Sequence, residues 1–224
     1  MCSLKERIAK YYKEDGVLSW CVCFFAFLSN AVVCGIDFSF GELFGTVMKD
    51  LNSSESNVAW IASAHSAVQY LGSSLSSILA KKFGFAPVIT MGVLISTTFL
   101  ALSATSPNVS VFTLYYGICG GFGLGLIYTP ANIICSFYFQ KRQALATGIS
   151  ICGRGIGIIV IAEAMNFLKE SYGWKGCVII CAAMCPLNGL LAMIVYILPN
   201  EYKETTVVHN EDRHILDKHV DRFR

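Results

Sequence analysis

From Phe83 to Gln140 the chain reads FGFAPVITMGVLISTTFLALSATSPNVSVFTLYYGICGGFGLGLIYTPANIICSFYFQ, without a single Asp, Glu, Lys or Arg. A soluble helix pair needs a charged outer face, and this interval has none. A membrane span takes roughly 20 mostly apolar residues to cross about 30 Å of hydrocarbon. The interval holds two such spans, separated by the polar break Ser106-Pro107-Asn108. Because the hydrocarbon offers the backbone no hydrogen-bond partner, each span is expected to be a helix despite its Gly, Ser and β-branched residues.

Reading outward in both directions gives six spans: Val17 to Phe40, Val58 to Ala80, Pro87 to Thr105, Ser110 to Phe139, Ala144 to Leu168 and Gly176 to Leu198. The expected fold class is therefore an all-α polytopic membrane protein. A polar segment, 1–16, precedes a six-helix domain, 17–198, and a polar tail, 199–224, follows it. Composition agrees, with 54% hydrophobic and 14% charged residues and a mean hydropathy of +0.57, against roughly a quarter charged in soluble proteins. The net charge of +2 is too small to point to nucleic acid.

Nine of the ten cysteines, all but Cys2, fall in apolar segments, where a thiol packs as a small hydrophobe. Cys177, Cys181 and Cys185 share one helix face; packing is the favoured reading over a metal stripe. With no phosphate loop, metal-ligand spacing or nucleophile–base pair, neither an enzyme nor a cofactor is expected.

Basic residues fix the expected orientation, since they gather on the cytoplasmic side of short loops. Lys5, Arg7, Lys10 and Lys13, then Lys81 and Lys82, then Lys141 and Arg142 fall on one side, so both termini are expected in the cytoplasm. The sequons beginning at Asn52 and Asn108 fall on the other side, as candidate glycosylation sites. The first fourteen residues alternate charges and lack a cleavage site, so no signal peptide is read there.

Span four packs Gly117, Gly120, Gly121, Gly123 and Gly125 into nine positions before Tyr128-Thr129-Pro130. Such a helix is expected to bend and to line a cavity. Ionisable residues at membrane depth are costly and are kept for function. Arg154 lies thirteen residues past Lys141, about 20 Å along the helix and near mid-membrane. Glu163 is nine residues further, on the opposite face, at a depth matching Asp37 of span one and His65 of span two. Arg154 is the leading candidate to hold a carboxylate substrate, with Asp37, Glu163, His65 and Tyr128 as further cavity candidates.

The run Tyr138-Phe139-Gln140-Lys141-Arg142-Gln143-Ala144-Leu145-Ala146-Thr147-Gly148, followed by Gly153 and Gly157, resembles the fifth-span signature of the monocarboxylate transporter family of the major facilitator superfamily. Asp15-Gly16-Val17-Leu18-Ser19-Trp20 partly matches that family's entry to the first span. Ala80-Lys81-Lys82-Phe83-Gly84 is similar to a worn superfamily loop that has lost its acid. The resemblance covers one half of a transporter and implies a carrier of a small organic solute, a carboxylate by family habit, in the plasma membrane. It implies gating or motif roles for Asp15, Lys141, Arg142, Gly148, Gly153 and Gly157.

Two departures qualify that implication. Arg154 stands where the family keeps a small residue, and Phe38 stands where proton-coupled members place a lysine. Because only six spans are present, the expected partners, besides the solute and the bilayer, are a second six-helix half or an ancillary membrane protein. The alternative is a truncated, non-transporting membrane protein that acts through a partner.

Overall fold

The computed structural model describes residues 17–139 and 142–197, so Asp15, Lys141 and the polar tail lie outside the described residues. The described residues are helical, with no strand among them. Six helical units follow one another among the described residues. They are α1 (Val17–Asp50), α2 (Glu55–Phe83), α3 (Phe85–Ser103), α4, α5 (Gln143–Met184) and α6 (Leu187–Ile197). The fourth, α4, is continuous through an α-helical turn Val109–Phe112, a π-helical stretch Thr113–Gly120 and an α-helix Gly121–Tyr138.

Among the described residues, four runs are long and apolar enough to cross a membrane: Ser19–Asp50, Phe85–Ser103, Val109–Ser136 and Gln143–Leu190. The last has 48 residues. At 1.5 Å per residue it would reach about 70 Å, more than twice the hydrocarbon thickness. It is broken at Gly173, whose φ of 64° and ψ of 179° suit only glycine, so it supplies the fifth crossing and the start of the sixth. The 29-residue α2 is more polar because its inward face buries His65, Gln69, Ser73 and Ser76. Its outward face carries exposed Trp60, Leu71 and Ile78. An apolar exterior over a polar-laced interior is what lipid as solvent selects.

Contacts between helices fix their directions. Residues 27, 31 and 35 of α1 face 153, 157 and 161 of α5 in that order, so the two helices run parallel. Residues 61, 65 and 69 of α2 face 117, 121 and 125 of α4, again in parallel. In contrast 92, 96 and 100 of α3 meet 127, 123 and 120 of α4, which is antiparallel. Trp20 of α1 meets Phe139 at the end of α4, and Tyr116 of α4 reaches the Ile36 carbonyl, so α1 and α4 are antiparallel and α1 to α5 alternate in direction.

These close approaches explain the glycines. A Cβ on Gly153 or Gly157 would collide with the backbone of Phe27 or Ala31, and one on Gly121 or Gly125 with the backbone of His65 or Gln69. The glycine run of span four thus serves packing against α2 and α3. The departure from α-helical geometry in α4 is the π-helical stretch Thr113–Gly120, which holds Gly117 and Gly120, the first two glycines of that run. Serine and threonine hydroxyls complete the seams: Ser76 donates to the Leu126 carbonyl at 3.0 Å and Thr129 to that of Ser73 at 2.9 Å.

Several span ends differ from expectation. The first helix runs ten residues beyond Phe40, through Gly41 and Gly45 to Asp50, because Leu43 and Val47 continue its buried stripe. The second starts at Glu55 rather than Val58, capped by the Ser54 side chain, which accepts from the Asn57 amide at 3.4 Å. Cys177, Cys181 and Cys185 are buried, with Cys177 and Cys181 set against Met165, the former at its carbonyl and the latter at its sulfur.

Candidate functional site: an unpaired arginine and a buried carboxylate–histidine contact

Because Gly153 and Gly157 press α5 onto α1, the next residue, Arg154, is turned by about 100° toward α4. Its Nη2 donates to Asn132 Oδ1 at 2.9 Å, and its guanidinium lies over the Tyr128 ring, 4.7 Å from the centroid. Asn132 is held in turn, its Nδ2 donating to the Tyr128 carbonyl at 2.7 Å. Asn132 follows Tyr128 by four residues, so α4 presents both on one face. The aromatic face attracts the cation, and the amide oxygen orients it.

No carboxylate pairs with Arg154 among the described residues. Its Nε is buried without a hydrogen-bond partner, and its side chain is only half-buried. A guanidinium held by neutral groups keeps its full charge and retains donors for a planar anion.

A second polar centre joins α1, α2 and α4. His65 is buried, with Nδ1 2.9 Å from the Tyr116 carbonyl oxygen and its ring stacked on the Tyr116 ring at 4.8 Å. Its Nε2 stands 3.7 Å from Asp37 Oδ1. Ser66 donates its hydroxyl to the same oxygen at 3.1 Å. Asp37 also lines a recess of about 260 Å³ with Phe38, Phe40, Phe44, Ala62 and Ser66. Aromatic packing backs the site, where Phe112 stacks on Tyr116 at 5.2 Å and meets Trp174 edge-on at 5.2 Å.

Of the three residues read at matching depth, Asp37 and His65 meet and Glu163 does not join them. Glu163 has the depth read for it, since the α1–α5 register sets it level with Asp37. It is nevertheless exposed, and it makes no hydrogen bond or ion pair among the described residues. Among the motif residues, Arg142 is exposed just before α5 and its carbonyl accepts from the Ala146 amide at 3.0 Å. Gly148 is exposed, with nothing near where a Cβ would sit, so packing does not require it. Asn52 and Asn108 are both exposed, in the α1–α2 and α3–α4 connections at one end of the bundle.

Sequence reasoning missed Asn132, although its place one turn after Tyr128 in a charge-free span was the available signal. It also missed the clasp at the far ends of α1 and α5. There the Trp174 indole N–H donates to Asp50 Oδ2 at 2.7 Å, and Lys169 lies 3.6 Å from Glu42 Oε2.

The sequence pattern of the Major Facilitator Superfamily matches residues 19–219. Monocarboxylate transporter 13 of Rattus norvegicus is 32% identical over 170 residues, covering 76% of this chain and 40% of that protein. Monocarboxylate transporter 11 of Homo sapiens is 30% identical over 185 residues, 81% of this chain and 39% of that protein. Monocarboxylate transporter 2 of Rattus norvegicus is 33% identical over 174 residues, 76% of this chain and 35% of that protein. The matched region spans two-fifths or less of the length of these curated relatives. With alternating apolar helices joined at glycine seams and a match over most of its length, the chain belongs to the Major Facilitator Superfamily, and it is similar there to monocarboxylate transporters.

Proposed function

We propose that the chain forms one six-helix half of a plasma-membrane carrier for a small organic anion, and that Arg154 is the cation on which a substrate carboxylate docks. The observation that carries this reading is the half-buried guanidinium held by Asn132 and Tyr128, with no ion-pair partner among the described residues. A charge kept at membrane depth with no carboxylate partner among the described residues suits a counter-ion brought by the substrate. The similarity to monocarboxylate transporters favours a monocarboxylate. We further propose that a second six-helix half, continuous with this chain or supplied by a partner, completes the carrier. Both termini would then face the cytoplasm: Lys81, Lys82 and Arg142 lie at one end of the bundle and the sequons at the other.

The test is uptake of labelled monocarboxylates by liposomes carrying the purified chain, alone and with a second half. Arg154→Ala is expected to raise KM at least about tenfold, because truncating one partner of a desolvated charged contact costs several kcal/mol. Arg154→Lys keeps the charge but loses the planar fork, and is expected to fall between the two. Unchanged saturation kinetics in a folded Arg154→Ala protein would refute the assignment. Absence of uptake in every combination would favour a non-transporting membrane protein acting through a partner.

A further inference from the structure

We propose that Asp37 and His65 together form a proton-binding site, in which one proton carried on His65 Nε2 ties α1 to α2. The hydrogen-bond inventory carries the inference. A carbonyl oxygen only accepts, so the 2.9 Å contact with Tyr116 requires the proton of a neutral His65 to sit on Nδ1. Nε2 then points a lone pair at Asp37 Oδ1, 3.7 Å away, and it is buried with no hydrogen-bond partner. Two acceptors face each other across a gap that is missing one proton. With that proton in place the imidazolium donates at both nitrogens, to Tyr116 on α4 and to Asp37 on α1, and no buried polar atom of the ring is left unmet.

The surroundings suit this role. Ser66 donates to the same Asp37 oxygen at 3.1 Å, which holds the carboxylate toward the ring. A recess of about 260 Å³ opens beside Asp37 and Ser66, the two polar side chains of its otherwise apolar lining. The neighbouring titratable groups do not compete. Cys34 lies one turn earlier on α1, within electrostatic reach of both Asp37 and Arg154. Tyr116 stacks on His65 and sends its hydroxyl to the Ile36 carbonyl at 3.5 Å. Beyond Tyr116 lie Cys181 and Cys185. Glu163 is level with Asp37 but makes no contact with the pair, and Arg154 is nine residues lower on α5, about 13 Å along the axis. The site is thus a pair with one vacancy for a proton, and it stands apart from the anion reading of Arg154.

Its sign follows from the geometry. The ion pair exists only while Nε2 is protonated, so the α1–α2 link is present on the acidic side and is lost as pH rises through the pair's titration.

The experiment is ¹⁵N NMR of the purified chain carrying ring-labelled histidine in nanodiscs, from about pH 9 to about pH 5, which brackets the imidazole's ordinary value of about 6.5. His65→Gln assigns the signal among the four histidines. The expected result is a neutral ring protonated at Nδ1 at high pH and a doubly protonated ring at low pH. Asp37→Asn should move the midpoint down by about one pH unit or more, and Asp37→Glu should restore it. Neutral His65 with its proton on Nε2, or a signal that does not change over the range, would overturn the proposal. So would an Asp37→Asn profile equal to the wild type. Should Asp37→Asn fail to fold, the wild-type tautomer and titration still decide the matter, and Ser66→Ala offers a milder perturbation of the same carboxylate.

Discussion

Replacing Gly157 by alanine tests the central packing claim, that α1 and α5 touch backbone to backbone. A Cβ there would fall inside the van der Waals envelope of the Ala31 carbonyl oxygen, Cα and carbonyl carbon. All three are main-chain atoms, so no side chain can rotate away, and the helices must separate by about 1 Å. A gap of that size forfeits a quarter to a half of each pairwise contact along the seam, and overpacking typically costs about 1–3 kcal/mol. Alanine recovers part of this, up to about 1 kcal/mol, through its better helix propensity. Gly148→Ala is the internal control: it lies on the same helix with nothing near its Cβ, so it gains propensity without the clash. The expected difference in stability between the two variants is about 2 kcal/mol in favour of Gly148→Ala. Gly153→Ala should resemble Gly157→Ala, and the double variant should cost less than the two combined, because one separation of the helices relieves both clashes. Thermal unfolding in detergent, read by a thiol-reactive dye reaching buried Cys23, Cys34 and Cys135, measures all four proteins. Equal melting of Gly157→Ala and Gly148→Ala, or strict additivity in the double variant, would refute the reasoning.

Two further outcomes are expected. Gly173→Ala should destabilise by about 1–3 kcal/mol through backbone strain alone, since φ is 64°, ψ is 179° and the space around its Cβ is open; a melting temperature equal to the wild type would contradict the break at that residue. Trp174→Phe removes the 2.7 Å bond to Asp50 while keeping the ring against Phe112, so a loss of about 1 kcal/mol is expected. Asp50→Asn, which leaves an acceptor for the indole, should lose less than Trp174→Phe in the same melt.

The fold was legible because lipid leaves a strong mark: a charge-free stretch of this length has few other homes. Helix ends were less legible. Gly41, Glu42, Gly45 and Lys49 carry the signs of a loop, yet α1 continues through them. There the helix leaves hydrocarbon, so charges and glycines are tolerated on the wet side while Leu43 and Val47 keep the buried side apolar. In the site, the matching levels of Asp37, His65 and Glu163 followed from counting residues. Which of them meet did not, because depth says nothing about rotation around each helix. Asp37 and His65 turn toward one another, while Glu163, at the same level, faces outward.

The missing rotation was in fact encoded in the spacing of the small residues. Gly153 and Gly157 sit four apart on α5, and Gly117, Gly121 and Gly125 sit four apart on α4, each row lying against a parallel helix. A row of period four marks the face that touches a neighbour, and every other residue takes its direction from that face. Arg154, one step past Gly153, is thereby sent to Asn132 and Tyr128 on α4. On α2, the row 61, 65 and 69 faces α4, which is why His65 finds the Tyr116 carbonyl while Ser66, one step on, reaches Asp37 of α1. The polar centres are consequences of the glycine seams, so a change that widens a seam should disturb the site beside it. In Gly157→Ala the Arg154–Asn132 contact should lengthen even though neither residue is altered. An anion affinity that falls in Gly157→Ala but not in Gly148→Ala would show that packing and binding share this one geometric cause.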